Sequence, residues 1–178
     1  MALASSAMRA GSTIAIAATA TDADGTIGKV DFYQGATKIG TDTTSPFGFT
    51  WNNVGGGTYS ITAKATDDKG GVGASAAIVV KVNKPPSANV TAPANNASFA
   101  APANIALQAS AADADGTVSK VEFFRNGTLL ATDTASPYSH AWNNVPIGTY
   151  TITARSTDNL GAQTTSKPVT VAVAANKP

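Results

Sequence analysis

The sequence predicts an all-β chain of two tandem antiparallel β-sandwiches, the first lacking its N-terminal strand. Three observations predict it. Residues 11–82 laid over 102–173 at a constant offset of 91, without gaps, give 34 identities in 72 positions, which reads as a tandem duplication. Apolar residues recur at every second position, the period of a half-buried strand rather than a helix. Gly, Asn, Asp and Pro interrupt the pattern at short intervals and divide each copy into about seven strands. The expected domains are 1–83, N-terminally incomplete, and 88–175, joined by a Pro-rich linker at 84–87. In that linker Pro85 and Pro86 fix φ and extend the chain. The ending Asn176–Pro178 repeats Asn83–Pro85, so a further module is expected to follow in the parent protein.

The elements follow in order. "TIAIAATA" places Ile14, Ile16, Ala18 and Ala20 on one face, and "NIALQASA" does the same with Ile105, Leu107, Ala109 and Ala111. "KVDFY" and "KVEFF" bury Val30 and Phe32, or Val121 and Phe123, with Asp31 or Glu122 facing out. Gly35-Ala36 and Asn126-Gly127 reverse the chain, because each supplies a residue that accepts positive φ. "FGFTW" and "YSHAW" bring Trp51 and Trp142 into the core at alternate spacing. "TYSITAKAT" buries Tyr59, Ile61, Ala63 and Ala65; "TYTITARST" buries Tyr150, Ile152, Ala154 and Ser156. "AIVVKV" or "PVTVAV" closes each copy.

The copies differ at their beginnings. The second has an edge strand around Ala88–Ala92 and then an irregular crossing; 91 positions earlier the strand equivalents fall at or before residue 1. The first copy is therefore expected to lack this strand, either because the fragment was cut inside a domain or because another segment fills the edge by strand addition.

Composition excludes several classes of function. With 43% hydrophobic and 13% charged residues the chain is neither a disordered polymer nor rich in large core side chains. A net charge of +1 gives no electrostatic reason to expect nucleic acid. No run of apolar residues is long enough for membrane insertion by a helix, and "MALASSAMRAGST" has neither the basic nor the apolar part of a secretion signal. Cysteine is absent, which removes disulfides and thiolate chemistry, and the lone His140 has Phe49 as its counterpart. Ser, Thr and Asp residues find no base or oxyanion scaffold, so no enzyme activity and no obligatory cofactor are expected.

The combined pattern A-x-D-x-D-G, K-V-[DE]-F, S-P-[FY], W, G-T-Y-x-I-T-A and T-D-x-x-G resembles the bacterial immunoglobulin-like repeats of secreted multidomain enzymes and surface proteins. The resemblance spans both copies. It implies two immunoglobulin-like β-sandwiches, an extracellular or cell-surface location, adjacent domains of the parent protein as partners, and a non-catalytic spacer role beside a polysaccharide-active enzyme or adhesin.

In such a sandwich the loop after the second strand and the loop before the last emerge at one end. That brings Asp22 and Asp24 near Asp67 and Asp68, and Asp113 and Asp115 near Asp158. The second group is also expected close to Pro85 and Pro86. Two readings stand for the loop: Ca²⁺ coordination by carboxylates on adjacent loops, or Asx turns whose carboxylates accept backbone N–H bonds. The turn reading is preferred, since D-x-D-G lacks the rest of a calcium loop. Tyr33 and Phe124, on the face opposite Phe32 and Phe123, are candidate platforms for a sugar ring. Spacer, polysaccharide-binding module and fibre subunit joined to a neighbouring chain by β-strand addition are the three classes that remain.

Overall fold

The computed structural model describes residues 8–175. Contacts divide the chain between Asn83 and Lys84 into two compact units. The first contains β1 (Met8–Arg9), β2 (Ser12–Ala17), β3 (Ile27–Gln34), β4 (Thr37–Asp42), β5 (Gly48–Val54), β6 (Gly57–Asp67), β7 (Val72–Ala74) and β8 (Ile78–Asn83). The second contains β9 (Ser87–Ala92), β10 (Ala97–Ala100), β11 (Ala103–Ala112), β12 (Val118–Arg125), β13 (Thr128–Asp133), β14 (Tyr138–Val145), β15 (Gly148–Asp158), β16 (Gln163–Thr165) and β17 (Val169–Ala174). Among the described residues there is no helix.

Each unit is a two-sheet sandwich. In the second, one sheet runs β10-β17-β15-β12-β13 with β16 added to β15, and the other runs β14-β11-β9. In the first, the large sheet runs β1-β8-β6-β3-β4 with β7 on β6, facing the pair β2-β5. Strand alternation fills the space between sheets. Ile105 and Leu107 from one sheet meet Val121, Phe123, Ile152 and Val171 from the other; Ile14 and Ile16 meet Val30, Phe32, Ile61 and Val80. The hairpin reversals use positive φ at Gly35, and at Asn126 with Gly127. Asn126 adds a side-chain clamp, its Oδ1 accepting Thr151 N–H at 2.8 Å.

The irregular crossing of the second copy contains a strand that the sequence reading passed over. β10 pairs in parallel with β17 through Phe99 and Val173, and β1 is its counterpart, pairing Met8 with Val82. The opening strand thus divides, with β9 on one sheet and β10 on the other. Only the β10 part has an equivalent among the described residues of the first unit. The consequence shows in β2, which ends at Ala17 although alternation continues to Ala20. Its counterpart β11 runs to Ala112 because β9 pairs with residues 108–112. With no strand beside it on that edge among the described residues, this end of β2 lacks those ladder bonds, and the pattern alone does not hold it extended.

Several side-chain expectations need correction, and Tyr59, Ala63, Ala65 and Tyr150 are half-buried rather than buried. Asp31 and Glu122 do lie on the outer face of their sheet, yet they are only 6% and 5% exposed, because long basic side chains lie across them. Trp142 is buried at 8% exposure, but Trp51 is only half-buried. Each indole packs edge-on against a tyrosine, Tyr59 or Tyr150, with ring centroids 5.0 Å apart. The second unit adds Arg125 across the Trp142 ring, where the first has the shorter, uncharged Gln34.

Candidate functional site

The repeated acidic loops sit where two adjacent strand connections meet. In the first unit, Asp22 Oδ1 accepts Asp24 N–H at 3.4 Å, closing a small turn. Asp68 reaches across from the other connection, with its Oδ1 accepting Thr26 N–H at 3.3 Å and its N–H donating to Thr26 O at 3.0 Å. Asp67 Oδ1 accepts the N–H groups of Lys69 and Gly71, both at 2.8 Å. Lys69 Nζ then donates to the Asp24 carboxylate at 2.9 Å and to its carbonyl at 2.7 Å. The Lys69 bond, with a smaller contribution from Asp22, holds Asp24 below the ordinary carboxylate range.

The second unit repeats the turns and the cross-loop bond, with Asn159 for Asp68 and Leu160 for Lys69. Asp113 Oδ1 accepts Asp115 N–H at 3.3 Å, and Asp158 Oδ1 accepts Leu160 and Ala162 N–H, both at 2.8 Å. Asn159 stands where the first unit has Asp68, and its amide oxygen accepts Thr117 N–H at 3.1 Å. The cross-loop bond survives without the negative charge, so a neutral acceptor satisfies the geometry at this position. The Asp115 carboxylate accepts the N–H of Lys84 at 3.1 and 3.3 Å, tying the start of the joint to the acidic loop.

The glycine of each loop is dictated by these contacts. A Cβ on Gly25 would lie 2.5 Å from Asp68 Oδ1 and 2.6 Å from Asp22 Oδ2; on Gly116 it would lie 2.4 Å from Asn159 Oδ1 and 2.6 Å from Asp113 Oδ2. A side chain at either glycine would require these carboxylate and amide oxygens to shift. The structure therefore brings Asp22 beside Asp68 and Asp113 beside Asn159, while one Oδ1 of Asp67 and of Asp158 holds its own connection. Among the described residues no group of three or more His, Cys, Asp or Glu is placed to hold a metal ion.

The candidate sugar platforms carry cations on their rings. Lys64 Nζ lies 4.8 Å from the Tyr33 centroid, and Arg155 Cζ lies 4.8 Å from that of Phe124. Both aromatics are half-buried. His140 is also half-buried, on β14 opposite Leu107.

Sequence reasoning missed the ionic clusters beside these rings. Asp31 accepts the Thr41 hydroxyl and pairs with Lys29 at 3.1 Å and Lys38 at 3.4 Å. The Thr41 bond and both lysines outweigh burial and lower its pKa to about 2. Glu122 pairs with Lys120 and Arg155, both at 3.0 Å. Burial pushes Glu122 up, but these two partners outweigh it and leave the carboxyl below its ordinary value. The signal was present as K-x-D and K-x-E, an i, i+2 pair on one face of a strand.

Among solved structures, the chain is similar to the fibronectin(III)-like modules of Clostridium thermocellum CbhA, at 29% identity over 97% of this chain and 92% of that one, with a TM-score of 0.47. It is similar to the titin fragment A168169 at 12% identity, over 94% and 93% of the two chains, TM-score 0.45. A third is SGBP-B of the Bacteroides ovatus mixed-linkage glucan utilization locus, solved with a mixed-linkage heptasaccharide, at 18% identity over 93% of this chain and 42% of that one, TM-score 0.36. No curated protein matches the sequence. The model of the bacterial Ig domain matches twice, over residues 3–63 and 86–154, one match to each copy. With the same sandwich, tryptophan–tyrosine pair and acidic-loop clamp built in both units, the chain belongs to the bacterial Ig domain family.

Proposed function

We propose that the chain is a structural spacer of a secreted or cell-surface multidomain protein, holding a polysaccharide-active or adhesive domain at a distance. Domains of this family are generally non-catalytic and commonly extracellular or surface-located. The observation that carries the reading is the shared use of the repeated polar motif. In both copies D-A-D-G and T-D bond to backbone N–H groups of two adjacent loops, and the exchange of Asp68 for Asn159 leaves the cross-loop bond intact. Polar residues used this way fix loop conformation and add to the rigidity of a module. The small-residue composition and the two prolines of the joint suit a spacer as well.

Affinity electrophoresis of the full chain through gels containing soluble polysaccharides tests this reading. A spacer migrates at the same rate in every gel. Retardation by one polysaccharide that is lost in Tyr33→Ala or Phe124→Ala would replace it with a carbohydrate-binding function.

A further inference from the structure

The first unit ends at Asn83 and the second begins at Lys84, so a single planar peptide links them and only the torsions on either side of it can turn. Its carbonyl is held by the first unit. Asn83 O accepts Ala10 N–H at 3.2 Å, and Asn83, itself buried, closes β8 opposite Arg9 of β1. Its N–H is held by the second: Lys84 N–H donates to the two carboxylate oxygens of Asp115, at 3.1 and 3.3 Å. The residues that follow have little freedom of their own. Lys84 precedes a proline, which disfavours the helical region for it, and Pro85 and Pro86 have a fixed φ. Ser87 then opens β9, with its Oγ donating to Ala112 O at 3.0 Å and accepting Ala112 N–H at 3.1 Å. The prolines leave rotation about the Lys84 N–Cα bond open, and the Asp115 contact restrains it.

We propose that Asp115 is a latch on this link: by holding the Lys84 N–H it makes residues 84–87 a rigid extension of the second unit. The exchange of one residue between the copies sets the latch. In the first unit Lys69 Nζ takes the equivalent carboxylate, that of Asp24, at 2.9 Å and the Asp24 carbonyl at 2.7 Å. In the second unit Leu160 stands in the place of Lys69, and an alkyl side chain does not compete for the Asp115 oxygens. A backbone N–H takes them instead, in a charge-assisted bond. Asp113 keeps the carboxylate aimed, since its Oδ1 accepts Asp115 N–H at 3.3 Å and closes the turn. The same D-A-D-G motif thus ties loop to loop in the first unit and loop to link in the second. The latch concerns the link alone and stands whether or not the chain serves as a spacer.

The test follows amide exchange and backbone nitrogen relaxation of the full chain in solution. In the wild type the Lys84 amide should be protected and the two units should share one rotational correlation time. Asp115→Ala should speed Lys84 exchange at least about tenfold, the effect of one lost hydrogen bond to a charged group, and should let each unit tumble faster on its own. Asp115 is exposed, so this variant should fold. Leu160→Lys keeps the carboxylate but supplies the competing ammonium that Lys69 supplies in the first unit, and it should release Lys84 in the same way. Asp115→Asn keeps an oxygen acceptor and should retain most of the protection. An equally fast Lys84 amide in the wild type and in Asp115→Ala would overturn the proposal. So would tumbling that stays unchanged in Asp115→Ala and Leu160→Lys while Lys84 loses its protection, which would leave the prolines alone to hold the link.

Discussion

The guanidinium of Arg125 lies over the indole of Trp142, with Cζ 5.6 Å from the ring centroid, while in the first unit Gln34 stands at the position of Arg125 and Trp51 is more exposed. Truncation should therefore cost the two units differently. Trp142→Ala is expected to destabilise the second unit by about 3–5 kcal/mol, the range for a buried large aromatic. Trp51→Ala should cost the first unit at least about 1 kcal/mol less, since less area returns to water. Urea unfolding of both variants, with the mutated unit followed by its own amide signals, measures the difference. Equal losses would contradict the burial assignment.

Asp31 contributes a pH dependence to the stability of the first unit. A carboxyl whose folded pKa is depressed stabilises the fold above its ordinary value of 3.8, and that contribution is lost as pH falls through about 2. Asp31→Asn should lower the melting temperature of the first unit at neutral pH and flatten its decline between about pH 4 and pH 2. Melts at several pH values in that window, compared with wild type, check both effects.

Phe49 and Gly40 form a size-matched pair. A Cβ on Gly40 would stand 2.2 Å from the Phe49 ring, which stacks on Phe32 at 6.0 Å between centroids. The second unit has Ala131 and His140 in these places. Gly40→Ala alone should destabilise the first unit by about 1–3 kcal/mol through overpacking. Combined with Phe49→His, the glycine substitution should cost much less. A double-mutant cycle by chemical denaturation reads the coupling, and additive losses would show that the two positions do not share space.

The duplication, the sandwich and the meeting of the two acidic connections were legible because an offset of 91, period-2 burial and turn residues are local properties of a sequence. β10 was not, since "ASFA" is short and pairs in parallel with a distant strand. The burial of Asp31 and Glu122 was hidden for a related reason. Alternation tells which face a side chain takes, but the cover comes partly from neighbouring strands, from Lys38 for Asp31 and Arg155 for Glu122. The difference between Trp51 and Trp142 likewise depends on residue 34 or 125 on another strand. Which carboxylate oxygen a turn consumes is likewise a property of loop closure and not of the motif.

The carboxylates of the repeated acidic loop bond backbone N–H groups, and calcium titration distinguishes this role from metal binding. Asp158 accepts two N–H bonds from a position only 2% exposed, so Asp158→Ala should cost the second unit about 2–3 kcal/mol whether calcium or a chelator is present. Calorimetric titration of the full chain with Ca²⁺ should give no heat of binding at micromolar concentrations, and melts with calcium or chelator should superimpose. A micromolar affinity that raises the melting temperature of the second unit and disappears in Asp113→Ala would contradict the account and make the loop a metal site.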